Sequence, residues 1–180
     1  FIVAALALTL GAVVAWTLKR APDAAEPLEA RFEIVLPEGT IFSSNYNRIV
    51  TISPDSRFIA YTSIGMQIRP LNDTGVITVP ESQQARSPAF SSDSRQIAYW
   101  ESGVIKRASV DGGTPIVVTQ LGERPMGLQW ADDGSLYVGR ADKGSWRAPG
   151  SGGELDPVRA MDARAYAYGP VLLPGGVWMG

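Results

Sequence analysis

Residues 49–63 read IVTISPDSRFIAYTS, and the architecture follows from this stretch because it recurs along the chain. Related stretches are SPAFSSDSRQIAYWESG at 87–103 and GLQWADDGSLYVG at 127–139. Asp55 and Asp93 lie 38 residues apart, and Asp133 follows 40 residues later. Each copy joins an apolar strand end, a short polar turn and a second apolar strand. The repeat therefore predicts β-hairpins at a period of about 40 residues.

The turn at the centre of each copy has a stereochemical explanation. Pro54 presets φ at the first central position, while Asp55 and Asp93 can accept hydrogen bonds from the backbone of their own turns. Gly134 tolerates the tight return in the third copy. We interpret Pro54, Asp55, Asp93, Asp133 and Gly134 as structural turn residues.

The aspartates of these turns could also be considered as metal ligands. They belong to different hairpins, so we expect Asp55, Asp93 and Asp133 to point to separate rims. The segment Asp132-Asp133-Gly134 is too short for a calcium loop, which needs several oxygen ligands at wider spacing. We therefore predict no metal site in this chain.

A second element follows each hairpin. Segments 66–73, 104–113 and 145–153 each give a strand with a basic residue and then a turn rich in Gly or Asp. The basic residues are Arg69, Arg107 and Arg147. An apolar stretch comes next, at 76–80, 115–119 and 156–160. Four strands per repeat are typical of propeller blades, whereas the repeats of a solenoid are usually shorter or helical.

The sequence thus predicts an all-β fold, a partial β-propeller with three four-stranded blades and part of a fourth. We place the incomplete propeller at 31–180, with blades at about 41–80, 81–120, 121–162 and 163–180. The last copy, PVLLPGGVWMG from Pro170, has Gly175 where the aspartate stood. Residues 31–36 alternate as a further strand before the first blade. Because the ring would be open, we expect marginal stability and edge association.

The first 18 residues, FIVAALALTLGAVVAWTL, contain no charge. As a helix they would span about 27 Å, close to the hydrocarbon thickness of a bilayer. Trp16 suits the interface, and Lys19-Arg20 ends the run. We predict a transmembrane helix at 1–18 over a signal-peptide core or a buried helix. A juxtamembrane linker follows at 19–30, polar, rich in Ala and interrupted by two prolines.

Composition excludes most common catalysts. The chain has 180 residues, with 16 Lys and Arg against 18 Asp and Glu, and contains neither Cys nor His. Ser-His-Asp and Cys-His catalysis, H-E-x-x-H zinc sites and the kinase H-R-D loop are therefore absent. The net charge of −2 argues against contact with nucleic acid. We predict no catalytic, cofactor-binding or metal-binding residue, and, because residue 1 is Phe, a chain that is part of a longer protein.

The three basic strand residues leave two interpretations open. Arg69, Arg107 and Arg147 could form a basic ring around a propeller axis and attract an acidic ligand. They could equally be solvated strand residues whose apolar stems pack on the sheet. The aromatic residues Tyr99, Trp100, Trp130 and Trp146 are expected to fill the space between blades.

Ser53–Tyr61 read SPDSRFIAY, which resembles the S-P-D-G-x-x-I-A-Y hairpin of the TolB-like branch of WD-repeat-like β-propellers. It matches at all positions but the Gly; Ser91–Tyr99 departs at the Pro as well, and the third copy lacks one residue after Gly134. A closer resemblance is to the region that follows the span in bacterial membrane-bound Ser/Thr protein kinases, where a linker, one strand and then blades follow in the same order.

This resemblance implies a single-pass membrane protein whose propeller acts as the sensor or protein-interaction module of a receptor-type Ser/Thr kinase. Its implied partners are the bilayer, through residues 1–18, and a protein or small ligand of the propeller. Known members place the propeller outside the cytoplasm, whereas Lys19-Arg20 favours a cytoplasmic C-terminal side, so orientation stays open.

Three other parent proteins fit the same residues. They are a TolB-like envelope protein that works by protein contacts, a membrane-anchored winged-helix transcriptional regulator, and a serine peptidase of the propeller-plus-hydrolase type. In each of them this chain itself is not an enzyme, and the flanking sequence discriminates between the parents.

Overall fold

The computed structural model describes residues 49–141, 143–159, 169–172 and 178–179. All regular elements in these ranges are strands. The transmembrane helix predicted at 1–18, the linker at 19–30 and the strand at 31–36 lie outside the described residues. Within the described part, no helix is long and apolar enough to cross a membrane.

Three four-stranded antiparallel sheets follow one another, and each keeps its strands in sequence order. Sheet 1 contains β1 (Val50–Ile52), β2 (Phe58–Ser63), β3 (Gly65–Pro70) and β4 (Ile77–Thr78). Sheet 2 contains β5 (Arg86–Phe90), β6 (Gln96–Glu101), β7 (Val104–Ser109) and β8 (Ile116–Gln120). Sheet 3 contains β9 (Gly127–Trp130), β10 (Ser135–Arg140), β11 (Gly144–Pro149) and β12 (Asp156–Arg159). The predicted repeat of four strands is confirmed.

The fourth copy begins as expected with a strand pair. Strand β13 (Val171–Leu172) pairs antiparallel with β14 (Trp178–Met179). Gly175, which replaces the aspartate in this copy, lies outside the described residues.

The hairpin formed by the first and second strands closes with the same pairing in all three sheets. The residues that close the three turns face each other as the pairs Ile52–Ile59, Phe90–Ile97 and Trp130–Leu136. The first strands β1, β5 and β9 contact their neighbours in turn, so the sheets are arranged side by side around these strands. The turns between first and second strands therefore lie along one edge of the assembly, which we call the turn edge.

Apolar side chains hold neighbouring sheets together through two clusters. Strand β6 contributes to both, because Ile97 and Tyr99 pack towards sheet 1 while Ala98 packs towards sheet 3. All three are fully buried, as expected for a central strand that is covered on both faces. Burial of a side chain the size of Ile contributes about 1.5–3 kcal/mol.

Aromatic side chains pack between neighbouring sheets, as expected from the sequence. Tyr99 belongs to the cluster between sheets 1 and 2, and Trp130 to the cluster between sheets 2 and 3. Trp100 and Trp146 are partly buried and pack against the second cluster.

Candidate functional site

The first turn on the turn edge is closed by hydrogen bonds around Asp55. The Ser56 amide donates to the Ser53 carbonyl oxygen over 2.9 Å, which defines a β-turn with Pro54 and Asp55 at its centre. The Asp55 carboxylate accepts from the Ser53 hydroxyl at 2.6 Å and from the Arg57 amide at 3.0 Å. These bonds lower the pKa of Asp55, the Ser53 hydroxyl most of all.

The second turn repeats this geometry. The Asp93 carboxylate accepts from the Ser91 hydroxyl at 2.6 Å and from the Arg95 amide at 3.0 Å. The hydrogen bond from Ser91 is the main reason that the pKa of Asp93 is lowered.

The third turn differs because Ala131 stands where the other turns have a serine. The Asp133 carboxylate still accepts from the Ser135 amide at 2.9 Å, which is the main cause of its lowered pKa. Its second oxygen forms an ion pair with the Arg147 guanidinium at 3.0 Å. In the first two turns the aspartate carboxylate accepts hydrogen bonds from its own turn. In the third turn one carboxylate oxygen also pairs with Arg147 of strand β11.

The turns do not point to separate rims, contrary to our expectation. The Asp55 amide of the first turn donates a hydrogen bond of 3.1 Å to the Ser94 hydroxyl of the second. The first and second turns therefore meet on the same edge, because the first strands that lead into them lie side by side. Among the described residues, the acidic side chains form no group of three or more that could hold a metal ion.

A cleft of about 1000 Å³ opens on the turn edge between sheets 2 and 3. Its wall on one side is the second turn, and on the other the third turn with the Pro149–Ser151 turn and the start of β12. Trp130 lies at its base and is only 8% exposed. The charged residues that line the cleft are Asp93, Asp132, Asp133, Asp156, Arg107 and Arg147.

Two substitutions between repeats explain why this gap is open while the gap between sheets 1 and 2 is closed. Ser94 accepts the hydrogen bond from the first turn, but its counterpart in the third turn is Gly134, which has no side chain to accept one from Asp93. In addition, Ile68 of β3 is fully buried against sheet 2, whereas Arg107 of β7 occupies the corresponding position and lines the cleft.

The structure separates Arg69 from the other two arginines. Arg69 lies opposite Ile59, but the counterparts of Ile59 in sheets 2 and 3 lie opposite alanines, Ala108 and Ala148. A shift of one residue in register sends a side chain to the other face of the sheet. Arg69 therefore faces away from sheet 2 and does not line the cleft.

The length of one hairpin loop causes this shift. Between second and third strands, one residue separates the last paired positions in sheet 1, where Ser63 faces Gly65. Two residues separate them in sheet 2, where Glu101 faces Val104. Arg69 and Arg107 follow the aspartates of their turns at the same distance in sequence. Because the loop of sheet 1 is one residue shorter, Arg69 is one position out of register with Arg107.

The two arginines of the cleft have different partners. A terminal nitrogen of Arg107 donates to the Gln96 side-chain oxygen at 2.6 Å, whereas the Arg107 Nε is buried without a hydrogen-bond partner. The Arg147 Nε donates to the Ser135 hydroxyl at 2.8 Å. Its guanidinium carbon also lies 5.9 Å from the centre of the Tyr137 ring, within reach of a cation–π contact.

The cleft is not lined by a ring of basic residues, which was one of the two interpretations of Arg69, Arg107 and Arg147. Four carboxylates and two guanidinium groups line it. After the pairing of Arg147 with Asp133, three carboxylates face the single charge of Arg107. This balance removes the electrostatic reason for an acidic ligand. Sequence reasoning considered Asp132 only as a calcium ligand and missed Asp156 and Gln96. The available signal was the replacement of two serines by Ala131 and Gly134 in the third copy.

Comparison with solved structures places this arrangement in a known fold. The chain superimposes on a protein assigned as TolB from Agrobacterium tumefaciens with a TM-score of 0.55, at 18% identity, over 69% of this chain and 48% of that one. The RRP9 WD40 repeats give a TM-score of 0.53, 14% identity, 67% of this chain and 40% of that one. The chain has a TolB-like and WD-repeat-like β-propeller fold.

Hydrazine synthase of Kuenenia stuttgartiensis is also similar, with a TM-score of 0.54, 16% identity and coverage of 79% of this chain and 44% of that one. This chain therefore spans less than half the length of each of these three proteins. The sequence matches no protein-family model and no curated protein. At these identities the likeness defines the β-propeller fold and nothing finer.

Proposed function

We propose that this propeller is a non-catalytic binding module of a larger protein, which recognises a partner at the turn edge. The observation that carries the proposal is the open cleft between sheets 2 and 3. Its volume, about 1000 Å³, lies at the upper end of the usual range for ligand sites. Two of its carboxylates, Asp93 and Asp133, accept hydrogen bonds from the backbone of their own turns, so they are held in place before a ligand arrives.

We further propose that the parent is a membrane-anchored, receptor-type Ser/Thr kinase, with this propeller outside the cytoplasm as its sensor. The uncharged run at 1–18 supports the anchor, and the order of span, linker, strand and blades supports the kinase. A ligand in the cleft would then act by changing the proximity of the domains attached across the membrane.

Cysteine chemistry tests the binding role and the orientation together, with the unsubstituted parent as the background, since these 180 residues contribute no cysteine. Ser92 is exposed and lines the cleft, while Thr74 is exposed on the loop after β3 and does not. In the S92C and T74C variants of the full parent protein, a membrane-impermeant maleimide should label both positions in intact cells. A photo-crosslinker attached to the cysteine should form an adduct with a partner from S92C but not from T74C.

Labelling only after lysis would contradict an extracytoplasmic propeller. Equal adducts from both variants, or none from S92C, would count against recognition at the cleft. The coding sequence upstream of Phe1 tests the parent separately. V-A-I-K, H-R-D and D-F-G segments there are expected for the kinase. Their absence, with only further blades after Gly180, would favour a TolB-like protein that works by contacts alone.

A further inference from the structure

The face of sheet 1 that is turned away from sheet 2, which we call the outer face, corresponds to faces that are buried in the other two sheets. In sheets 2 and 3 the first-strand residue that closes the turn, Phe90 or Trp130, packs against the preceding sheet. The equivalent residue of sheet 1 is Ile52, which pairs with Ile59. Ile59 and Tyr61, at the centre of the outer face, are buried, so the exposed part of this face lies on β1.

Strand β1 exposes apolar side chains at positions that belong to the core in the other repeats. Ile52 is 51% exposed, compared with 5% for Phe90 and 8% for Trp130. Val50 lies on the same face, two residues before Ile52, and is 38% exposed, whereas its equivalent Leu128 in sheet 3 is 3% exposed. The outer face therefore has the apolar pattern of an interface between sheets without the burial.

The outer face also carries a charge that the equivalent faces lack. Arg69 lies opposite Ile59, where sheets 2 and 3 have the buried residues Ala108 and Ala148. The Arg69 guanidinium forms no hydrogen bond and no ion pair with any other described residue. A sheet that packed here as sheet 1 packs on sheet 2 would remove this charge from water, which is costly unless the guanidinium gains an anionic partner.

We propose that a further blade of the parent protein packs on the outer face of sheet 1, with apolar side chains over Val50 and Ile52 and a carboxylate paired with Arg69. The contact repeats the interfaces between sheets 1 and 2 and between sheets 2 and 3. The parent is the expected source of the blade, because this chain spans less than half of each propeller structure that it resembles. The inference rests on the part of the proposed function that makes the chain a module of a larger protein, and it adds a contact surface away from the cleft.

Cysteine labelling at position 52 tests the proposal in two forms of the protein. In the 180-residue chain in mild detergent, I52C and T74C should react with a maleimide at similar rates, because both positions are exposed. In the full parent protein, I52C should react at least about tenfold more slowly than T74C, each rate being divided by the rate of the same variant in urea. V50C probes the same face if I52C does not fold.

Charge reversal tests the role of Arg69. R69E places like charges against each other in the contact, so it should raise the labelling rate of I52C in the parent about fivefold or more. The same substitution should leave the rate in the 180-residue chain unchanged. R69K keeps the charge and should retain most of the protection. R95E is the control, because the exposed Arg95 lies on the second turn, away from the outer face.

Equal labelling of I52C and T74C in the parent would overturn the proposal, as would a parent sequence with no further four-stranded repeat. Protection in the 180-residue chain that grows with its concentration would overturn it in favour of a second copy. Unchanged labelling of I52C in R69E would exclude the carboxylate partner. Crosslinking from S92C reports on the cleft independently, so failure of the blade contact is distinguishable from failure of the binding function.

Discussion

The backbone amide of Asp55 donates a hydrogen bond to the Ser94 hydroxyl over 3.1 Å, and this bond ties the first turn to the second. Ser94 is buried and has a positive φ of 61°, a conformation that is uncommon for a residue with a side chain. Ser56 occupies the same turn position in sheet 1, with φ of 58°, but it is exposed. Gly134 fills the position in sheet 3 without strain and without a hydroxyl group.

The pair of variants S56G and S94G separates backbone strain from this hydrogen bond. S56G relieves the left-handed conformation and should raise the free energy of unfolding by about 0.5 kcal/mol. S94G gains the same relief but removes the acceptor for Asp55, so it should be less stable than S56G by about 1 kcal/mol. Urea unfolding of the full chain, followed by tryptophan fluorescence, measures both. If S94G gains as much stability as S56G, the bond between the turns contributes nothing.

The backbones of Gly127, the first residue of β9, and Gly169, which precedes β13, approach each other closely. A Cβ atom built on Gly127 would lie 2.6 Å from the Cα of Gly169, so one of the two backbones would have to move. We expect G127A to lower the free energy of unfolding by about 1–3 kcal/mol. The control is G75A, where the nearest atom to the added Cβ is 3.8 Å away and the change should stay within about 0.5 kcal/mol. Equal effects of the two substitutions would show that sheet 3 and the fourth copy do not meet at this point.

Much of the fold could be predicted from the sequence, because the decisive interactions are local. The turn of each copy is closed by residues within five positions of one another, so the quoted 15-residue stretch carries its own geometry. The continuous apolar run Ile97–Trp100 in β6 likewise follows from packing on both faces of the strand. These features needed no knowledge of how the sheets meet.

The site was harder to predict because it depends on contacts between repeats. One residue in a hairpin loop decides whether Arg69 occupies the same position in its sheet as Arg107 does. The equal distance of both arginines from their turn aspartates does not reveal this difference. The cleft itself arises from what Gly134 lacks relative to Ser94. A missing side chain leaves no positive motif in a sequence.

The register of sheet 1 can be checked with two adjacent residues. Ile68 is fully buried against sheet 2, so I68A should leave a cavity and lower the free energy of unfolding by about 2–4 kcal/mol. Arg69 is partly exposed on the other face, and R69A should change stability by less than about 1 kcal/mol. The opposite order of the two effects would mean that Arg69, and not Ile68, lies between sheets 1 and 2. That is the position suggested by its distance in sequence from Asp55, which equals the distance of Arg107 from Asp93.

The lowered pKa of Asp93 predicts a loss of stability in acid. An aspartate has a pKa of about 3.9 in the unfolded chain. In the folded chain the hydrogen bond from Ser91 and the Arg95 amide hold the Asp93 pKa below its usual value. The carboxylate of the folded state is therefore favoured, and its contribution is complete above about pH 5, where the unfolded chain is also ionised. It is lost as the pH falls further, through the lowered pKa of the folded state.

Carboxyl-carbon NMR titration of Asp93 measures this directly, and the midpoint should lie below about 3.9. In S91A the largest cause is removed, so the midpoint should move up towards the ordinary value. D93N keeps an oxygen that can accept from the Arg95 amide but cannot titrate. Its free energy of unfolding should therefore fall less than that of the wild type between about pH 5 and about pH 3. An unchanged midpoint in S91A, or equal losses in D93N and wild type, would mean that the capping bonds do not couple the Asp93 charge to folding.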